Sequence, residues 1–178
     1  GTKTETITTS LEEGLALVKK ISSALKTDVR ALLDNASSRT KALDDYVSLL
    51  QDYEKRVLQL QENLRAEIAT LNTSFTAYVE KQASAEESFF AAFDVYDGAG
   101  AQDAFAVFTA AQEKAGTEKA YYKAFNLLDD LYTLALDTLA VRIKDITLNR
   151  AALLEGVQVV NIAGSDLDLI LSEDELSQ

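Results

Sequence analysis

Five residue types are missing from this chain: cysteine, histidine, methionine, proline and tryptophan. Without cysteine there is no disulfide framework, no zinc-thiolate site and no thiol nucleophile. Without histidine the chain lacks the commonest general base and metal ligand, which excludes Ser-His-Asp, Cys-His and carboxylate-histidine di-iron sites. The sequence therefore predicts a protein that is not an enzyme and that holds no cofactor and no metal.

Basic residues are also scarce. The chain has 17 Lys and Arg against 29 Asp and Glu, a net charge of −12. Such a charge repels nucleic acid and anionic membranes, whereas a basic protein partner is compatible with it. No uncharged run approaches the length of a membrane span. We therefore expect a protein partner or self-association, no nucleic acid and no transmembrane segment.

An apolar residue recurs every seven positions in both halves of the chain. One row contains Leu43, Leu50, Val57, Leu64, Leu71 and Tyr78, and another contains Phe125, Tyr132, Leu139, Ile146 and Leu153. A seven-residue apolar repeat indicates helices that pack against other helices as in a coiled coil. The absence of proline fits long helices without kinks.

Two breaks divide the repeat. Gly98 and Gly100 separate the halves, and Asp103 is placed to cap the next helix. Residues 34–38 (DNASS) suit a helix stop and a new N-cap, yet the heptad phase continues through them. Either a second chain covers one very long helix, or the chain turns near Ser37 and folds back. We favour the turn, which predicts an all-α antiparallel bundle of three long helices, at about residues 9–35, 38–96 and 103–155.

Both termini differ from the repeat. Residues 1–8 are rich in threonine, which favours an extended segment, and Gly156 ends the last helix. Residues 157–178 form an acidic C-terminal segment, which is expected to be extended or irregular. Gly1 stands in place of an initiator methionine, so we expect a processed chain or a segment of a larger protein. A cysteine-free chain suits an oxidising compartment, so an extracytoplasmic location is preferred to a cytoplasmic one.

Aromatic residues crowd around the glycine break. Six of the chain's 14 fall within residues 89–108: Phe89, Phe90, Phe93, Tyr96, Phe105 and Phe108. The favoured interpretation is that Phe89, Phe93 and Tyr96 share a helical face and pack onto Phe105 and Phe108 across the turn. The alternative is an exposed tip that binds a partner. Phe90, on a different face from Phe89, is the residue most expected to be exposed.

These patterns predict a non-enzymatic helical interaction or scaffold domain within a larger protein. Its partner would contact the bundle flanks, the aromatic tip or the acidic C-terminal segment. An alternative is the extracytoplasmic ligand-sensing bundle of a receptor, with a small molecule bound between helices. Four tyrosines on or beside the heptad rows would then line the pocket: Tyr46, Tyr53, Tyr121 and Tyr132.

Overall fold

The computed structural model describes residues 2–156, with side chains from residue 5 onward. This part of the chain is 92% helical and contains no strand. The all-α fold class that the heptad pattern predicts is confirmed. Five helices follow one another: α1 (Thr2–Leu25), α2 (Val29–Asp34), α3 (Arg39–Asp94), α4 (Gly98–Leu148) and α5 (Arg150–Glu155).

The helices are divided between two compact units. Residues 2–64 and 127–156 belong to the first, which we call the three-helix unit after its three long helices, α1, α3 and α4. Residues 65–126 make up the second, the hairpin unit. The helices α3 and α4 contribute to both units, whereas α1, α2 and α5 lie in the three-helix unit alone.

In the three-helix unit, α1 packs antiparallel to α3. Tyr46 Oη donates to the carbonyl of Ala24 at 2.6 Å, and Arg56 Nη2 lies 2.5 Å from Glu13 Oε1. Residue numbers therefore decrease along α1 as they increase along α3, so the two helices run in opposite directions. The chain reverses between the two helices, so the prediction of a turn near Ser37 is confirmed.

Side-chain caps define this reversal. Asp28 Oδ1 accepts the N–H of Ala31 at 3.1 Å at the start of α2, and Ser38 Oγ accepts the N–H of Lys41 at 3.2 Å at the start of α3. Each cap satisfies an amide that the first helical turn leaves without a backbone acceptor. Of residues 34–38, which suggested a stop and restart, Ser38 therefore acts through its side-chain oxygen. Asp28, which caps α2, lies outside that stretch.

The helices α3 and α4 also run antiparallel. Within the three-helix unit, Gln61 Nε2 donates to Thr133 Oγ1 at 3.0 Å, and Arg150 Nη1, at the start of α5 just after α4, lies 2.7 Å from Asp44 Oδ1. The first residue of α3 also contacts α5: Arg39 donates to the carbonyls of Leu153 and Leu154 at 2.8 and 3.0 Å. A cation at these carbonyls is favourable because the helix dipole makes that end negative.

The heptad rows form the core of the three-helix unit. Side chains on both long helices are almost fully buried: Leu43, Leu50, Val57, Leu64, Leu128, Tyr132, Leu139 and Ile146. From α1, they meet Val18, Ile21 and Leu25, which are equally buried. Each fully buried aliphatic side chain of this kind stabilises the fold by about 2 kcal/mol.

The hairpin unit has a different seam. Apart from Leu71 and Phe125, its buried apolar residues are alanines: Ala85 on α3, and Ala104, Ala111 and Ala115 on α4. An alanine methyl contributes only about 0.8 kcal/mol when buried. Small side chains let two helices approach closely, so little space remains between them for larger groups.

The structure corrects several predicted boundaries. The extended segment expected for residues 1–8 is helical from Thr2, because tertiary packing that buries Ile7 outweighs the strand preference of threonine. The helix expected over 9–35 ends at Leu25, and the one expected over 103–155 begins at Gly98 and ends at Leu148. The acidic segment 157–178 lies outside the described residues.

Candidate interaction surface

The turn between α3 and α4 closes with an unusual residue at its centre. Asp97 N–H donates to the carbonyl of Ala92 at 2.9 Å, and Tyr96 N–H donates to the carbonyl of Phe93 at 3.1 Å. This pair of hydrogen bonds is a Schellman motif, which requires a left-handed residue, usually glycine, just after the helix. Here that residue is Tyr96, with φ 60°.

The start of α4 is built around Asp97. Its Oδ1 accepts the N–H of Gly100 at 3.0 Å, so Asp97, and not Asp103 as predicted, is the N-cap. A Cβ on Gly100 would collide with the Asp97 carboxylate. The glycines of the predicted break therefore lie in the first turn of α4, where Gly100 leaves room for the cap.

The phenylalanines on either side of this turn touch one another. The ring centroids of Phe89 and Phe105 lie 6.2 Å apart across the two helices. Phe90 meets Phe89 edge-on at 5.5 Å, Phe93 stacks on Phe89 at 6.4 Å, and Phe108 stacks on Phe105 at 6.5 Å. Contacts of this geometry are favourable between rings. They link five phenylalanines into one cluster.

Most of this cluster faces solvent. Within it, Phe90 is 55% exposed, Phe93 64% and Phe105 58%, whereas Phe89 and Phe108 are half-buried. Tyr96, in the turn next to the cluster in sequence, is 95% exposed. The expected contact between Phe89 and Phe105 is present, and Phe90 is exposed as expected. The prediction that Phe93, Tyr96 and Phe105 are packed away is wrong. The alanine seam brings the helices together, so rings cannot enter between them and lie outside instead.

We refer to the five clustered phenylalanines and Tyr96, which follows Phe93 by three residues, as the aromatic surface. A contiguous apolar patch is uncommon on a monomeric soluble protein and often marks a contact site. Sequence analysis singled out the same six residues, but it ranked Phe90 first. The structure makes Tyr96 the most exposed aromatic residue of the described chain. The sequence offers no clear signal for this, because tyrosine is rare at a left-handed position.

Two grooves lie elsewhere in the hairpin unit. One, of about 390 Å³, is lined by residues that include Lys81, Ala85 and Ala104. The other, of about 420 Å³, shares Lys81 and adds Tyr78 and Lys114. Their linings consist mainly of alanine, serine and lysine and include no residue of the aromatic surface. They offer few of the large apolar walls that usually enclose a small-molecule ligand.

The four tyrosines considered for a ligand pocket line neither groove. Tyr46 and Tyr132 are buried in the core of the three-helix unit, and Tyr53 and Tyr121 are half-buried. The hydroxyl of Tyr46 is engaged in a structural hydrogen bond to the last turn of α1. Neither of these two grooves among the described residues is therefore the pocket considered for the tyrosines.

One buried cation was not predicted from the sequence. Arg142 is 5% exposed, and its Nη2 donates to the carbonyl of Thr27 at 2.7 Å. Its Nε donates to Tyr46 Oη at 3.3 Å, and the guanidinium carbon lies 5.8 Å from the centre of that ring. A signal was present, because Arg142 continues the heptad row of Leu128 and Ala135. These contacts hold the C-terminal end of α1 and are structural.

Residues 2–156 contain no group of acidic side chains that could hold a metal ion. In the same range, no helix is long and apolar enough to cross a bilayer. The pKa of Lys41 is raised by a hydrogen bond to Asp45, and the two residues form an exposed pair on one face of α3.

Comparisons with protein-family models, with curated proteins and with solved structures found no significant match to this chain.

Proposed function

We propose that this chain is a non-enzymatic protein-interaction domain that binds a protein partner through its aromatic surface. The observation that carries the proposal is Tyr96, which combines a strained backbone with a ring that is 95% exposed. Neither property benefits the folded chain by itself. Both are expected of a residue that is retained because a partner needs it.

The cost of Tyr96 is a measurable quantity. A residue other than glycine in the left-handed region loses about 1 kcal/mol relative to glycine. The exposed ring contributes no buried area within the chain that could offset this loss. A contact residue that lowers stability is a common compromise at binding sites.

The phenylalanines provide the rest of the contact area. Phe90, Phe93 and Phe105 each expose more than half of their surface, and neighbouring rings hold them in place. Aromatic residues are enriched among the side chains that dominate protein-binding energy. Because ring–ring contacts already order these side chains, they lose less conformational entropy when a partner binds than isolated aromatic side chains would.

The three-helix unit supports a scaffold role in this proposal. Its notable buried polar side chains, Arg142 and Tyr46, are used to hold the end of α1. Such contacts fix the helices relative to one another within that unit. We infer no chemistry from them, because the partners described above are backbone carbonyls and neighbouring side chains of the same unit.

Photo-crosslinking tests the proposal. p-Benzoylphenylalanine is placed at Phe90 in one variant and at Leu58 in another, and both are irradiated in the cells from which the protein derives. The two positions are matched, since Phe90 is 55% exposed on the hairpin unit and Leu58 is 56% exposed on the three-helix unit. We expect a defined protein to be crosslinked from position 90 and not from position 58.

A second variant separates binding from folding. Tyr96→Gly should raise the free energy of unfolding by about 1 kcal/mol, because glycine adopts the left-handed conformation freely. The same substitution should abolish the crosslink from position 90. Crosslinking that is equal from positions 90 and 58, or that survives Tyr96→Gly unchanged, would refute the proposed function.

A further inference from the structure

The charges around the aromatic surface have one sign. From residue 82 to residue 113 the chain contains no Lys and no Arg. The same stretch contains six acidic residues, all of them exposed: Glu86, Glu87, Asp94, Asp97, Asp103 and Glu113. The nearest basic residues are Lys81 and Lys114. The exposed rings of the hairpin unit therefore lie within a uniformly acidic stretch.

Carboxylates and rings also alternate along the chain at the turn. Asp94 directly follows Phe93, and Asp97 directly follows Tyr96. Arginine is the side chain that matches such a surface, since its planar guanidinium stacks on aromatic faces and pairs with carboxylates. A lysine ammonium pairs with the carboxylates but stacks less well.

Like charge disfavours the other occupants. A second copy of the chain would bring the same acidic stretch against this one, and like charges facing each other oppose association. Nucleic acid and anionic membranes are repelled for the same reason. We propose, on the basis of the proposed function, that the partner of the aromatic surface is a basic, arginine-bearing protein segment with apolar side chains.

The test uses a defined peptide as the probe. A fluorescein-labelled amphipathic helical peptide is made with arginine on one face and leucine on the other, together with versions in which lysine or glutamate replaces arginine. Binding to the whole chain is measured by fluorescence anisotropy at low and high salt. We expect the arginine peptide to bind more tightly than the lysine peptide, and the glutamate peptide not to bind.

Two charge variants show whether the location of the charge matters. The first carries Glu87→Gln, Asp94→Asn and Asp103→Asn; Asp97 is left unchanged because it caps α4. The matched variant neutralises three exposed acids of the three-helix unit: Asp52→Asn, Glu62→Gln and Asp137→Asn. The first should weaken binding of the arginine peptide about tenfold at low salt and less at high salt, and the second should leave it near the wild-type value.

A ring variant, Phe90→Ala with Phe93→Ala, should also weaken binding, and its helical circular dichroism should match that of the wild type because both rings are exposed. Equal weakening by the two charge variants would overturn the inference, since net charge alone would then explain binding. Binding of the chain to phosphatidylserine vesicles in preference to the peptide would also overturn it.

The two proposals fail in different ways. A protein that is crosslinked from position 90 through a neutral or acidic segment overturns the basic-partner inference and leaves the proposed function intact. A lack of specific crosslinking from position 90 overturns the proposed function, whatever the peptide does.

Discussion

The substitution Tyr46→Phe tests how α1 is held against the two long helices. It removes one oxygen atom and keeps the ring, which is 6% exposed. That oxygen donates to the carbonyl of Ala24 at 2.6 Å and accepts from Arg142 Nε at 3.3 Å. The change therefore deletes two buried hydrogen bonds while the packing of the ring is preserved.

The remaining contacts limit the expected loss. The carbonyl of Ala24 also accepts the N–H of Thr27 at 3.2 Å, so it keeps one donor. Arg142 keeps its 2.7 Å hydrogen bond to the carbonyl of Thr27 and its position over the ring. A typical hydrogen bond contributes about 1 kcal/mol net to stability. The buried carbonyl and guanidinium that each lose one partner add a further cost. We therefore expect the free energy of unfolding to fall by about 1–2 kcal/mol.

The assay is urea unfolding at 25 °C followed by circular dichroism at 222 nm. Tyr53→Phe, which changes a half-buried tyrosine on the same helix, is the control and should change stability by less than about 0.5 kcal/mol. Amide hydrogen exchange should increase in the last turn of α1 and the two residues after it, over residues 22–27, in Tyr46→Phe alone. Equal stability of the two variants would refute the role assigned to the hydroxyl.

A double-mutant cycle with Arg142→Met isolates the contact between the two side chains. Because Nε and Oη are 3.3 Å apart, the effects of the two substitutions should not add, and the coupling should be about 0.5–1 kcal/mol. A coupling indistinguishable from zero would mean that the tyrosine and the arginine stabilise α1 independently.

Substitutions at three further positions, in helix interiors and at a cap, give predictions of their own. Gly14→Ala should destabilise the chain by about 1–2 kcal/mol in urea unfolding, since its Cβ would lie 2.6 Å from Leu128 Cδ2 in a filled core. A Cβ added at Gly116 would meet nothing within 4 Å, so Gly116→Ala should stabilise the chain by about 1 kcal/mol. If both glycine substitutions changed the free energy of unfolding in the same direction, this reasoning would be contradicted. Asp97→Ala should cost about 1 kcal/mol, whereas Asp97→Asn, which also caps, should cost less; identical losses would argue against the contact with Gly100.

The heptad rows made the core of the three-helix unit predictable. Leu43, Leu50 and Val57 on α3 are buried, as are Tyr132 and Leu139 on α4. A side chain repeated every seven residues stays on one face of a helix, so the identity of the buried face follows from spacing alone. The turn near Ser37 was predictable for a similar reason, since serine and aspartate carry the oxygens that cap helices.

The candidate surface was predictable only in part. The sequence identified the six aromatic residues and the exposure of Phe90, because clustering and helical spacing can be read directly from the chain. It could not show that Phe93 and Phe105 face solvent. That outcome depends on how closely two helices approach, which the alanines at 85, 104 and 111 decide together across the pair.

The amino-acid sequence by itself determined that this protein is helical, acidic and without histidine or cysteine chemistry. These properties depend on composition and on local periodicity, which act within a few residues of one another. Only the tertiary structure decided that Tyr96 is left-handed and exposed, and that Arg142 holds the end of α1. Both depend on groups from different helices or on the hydrogen bonds that close a turn, and such contacts exist only after the chain has folded.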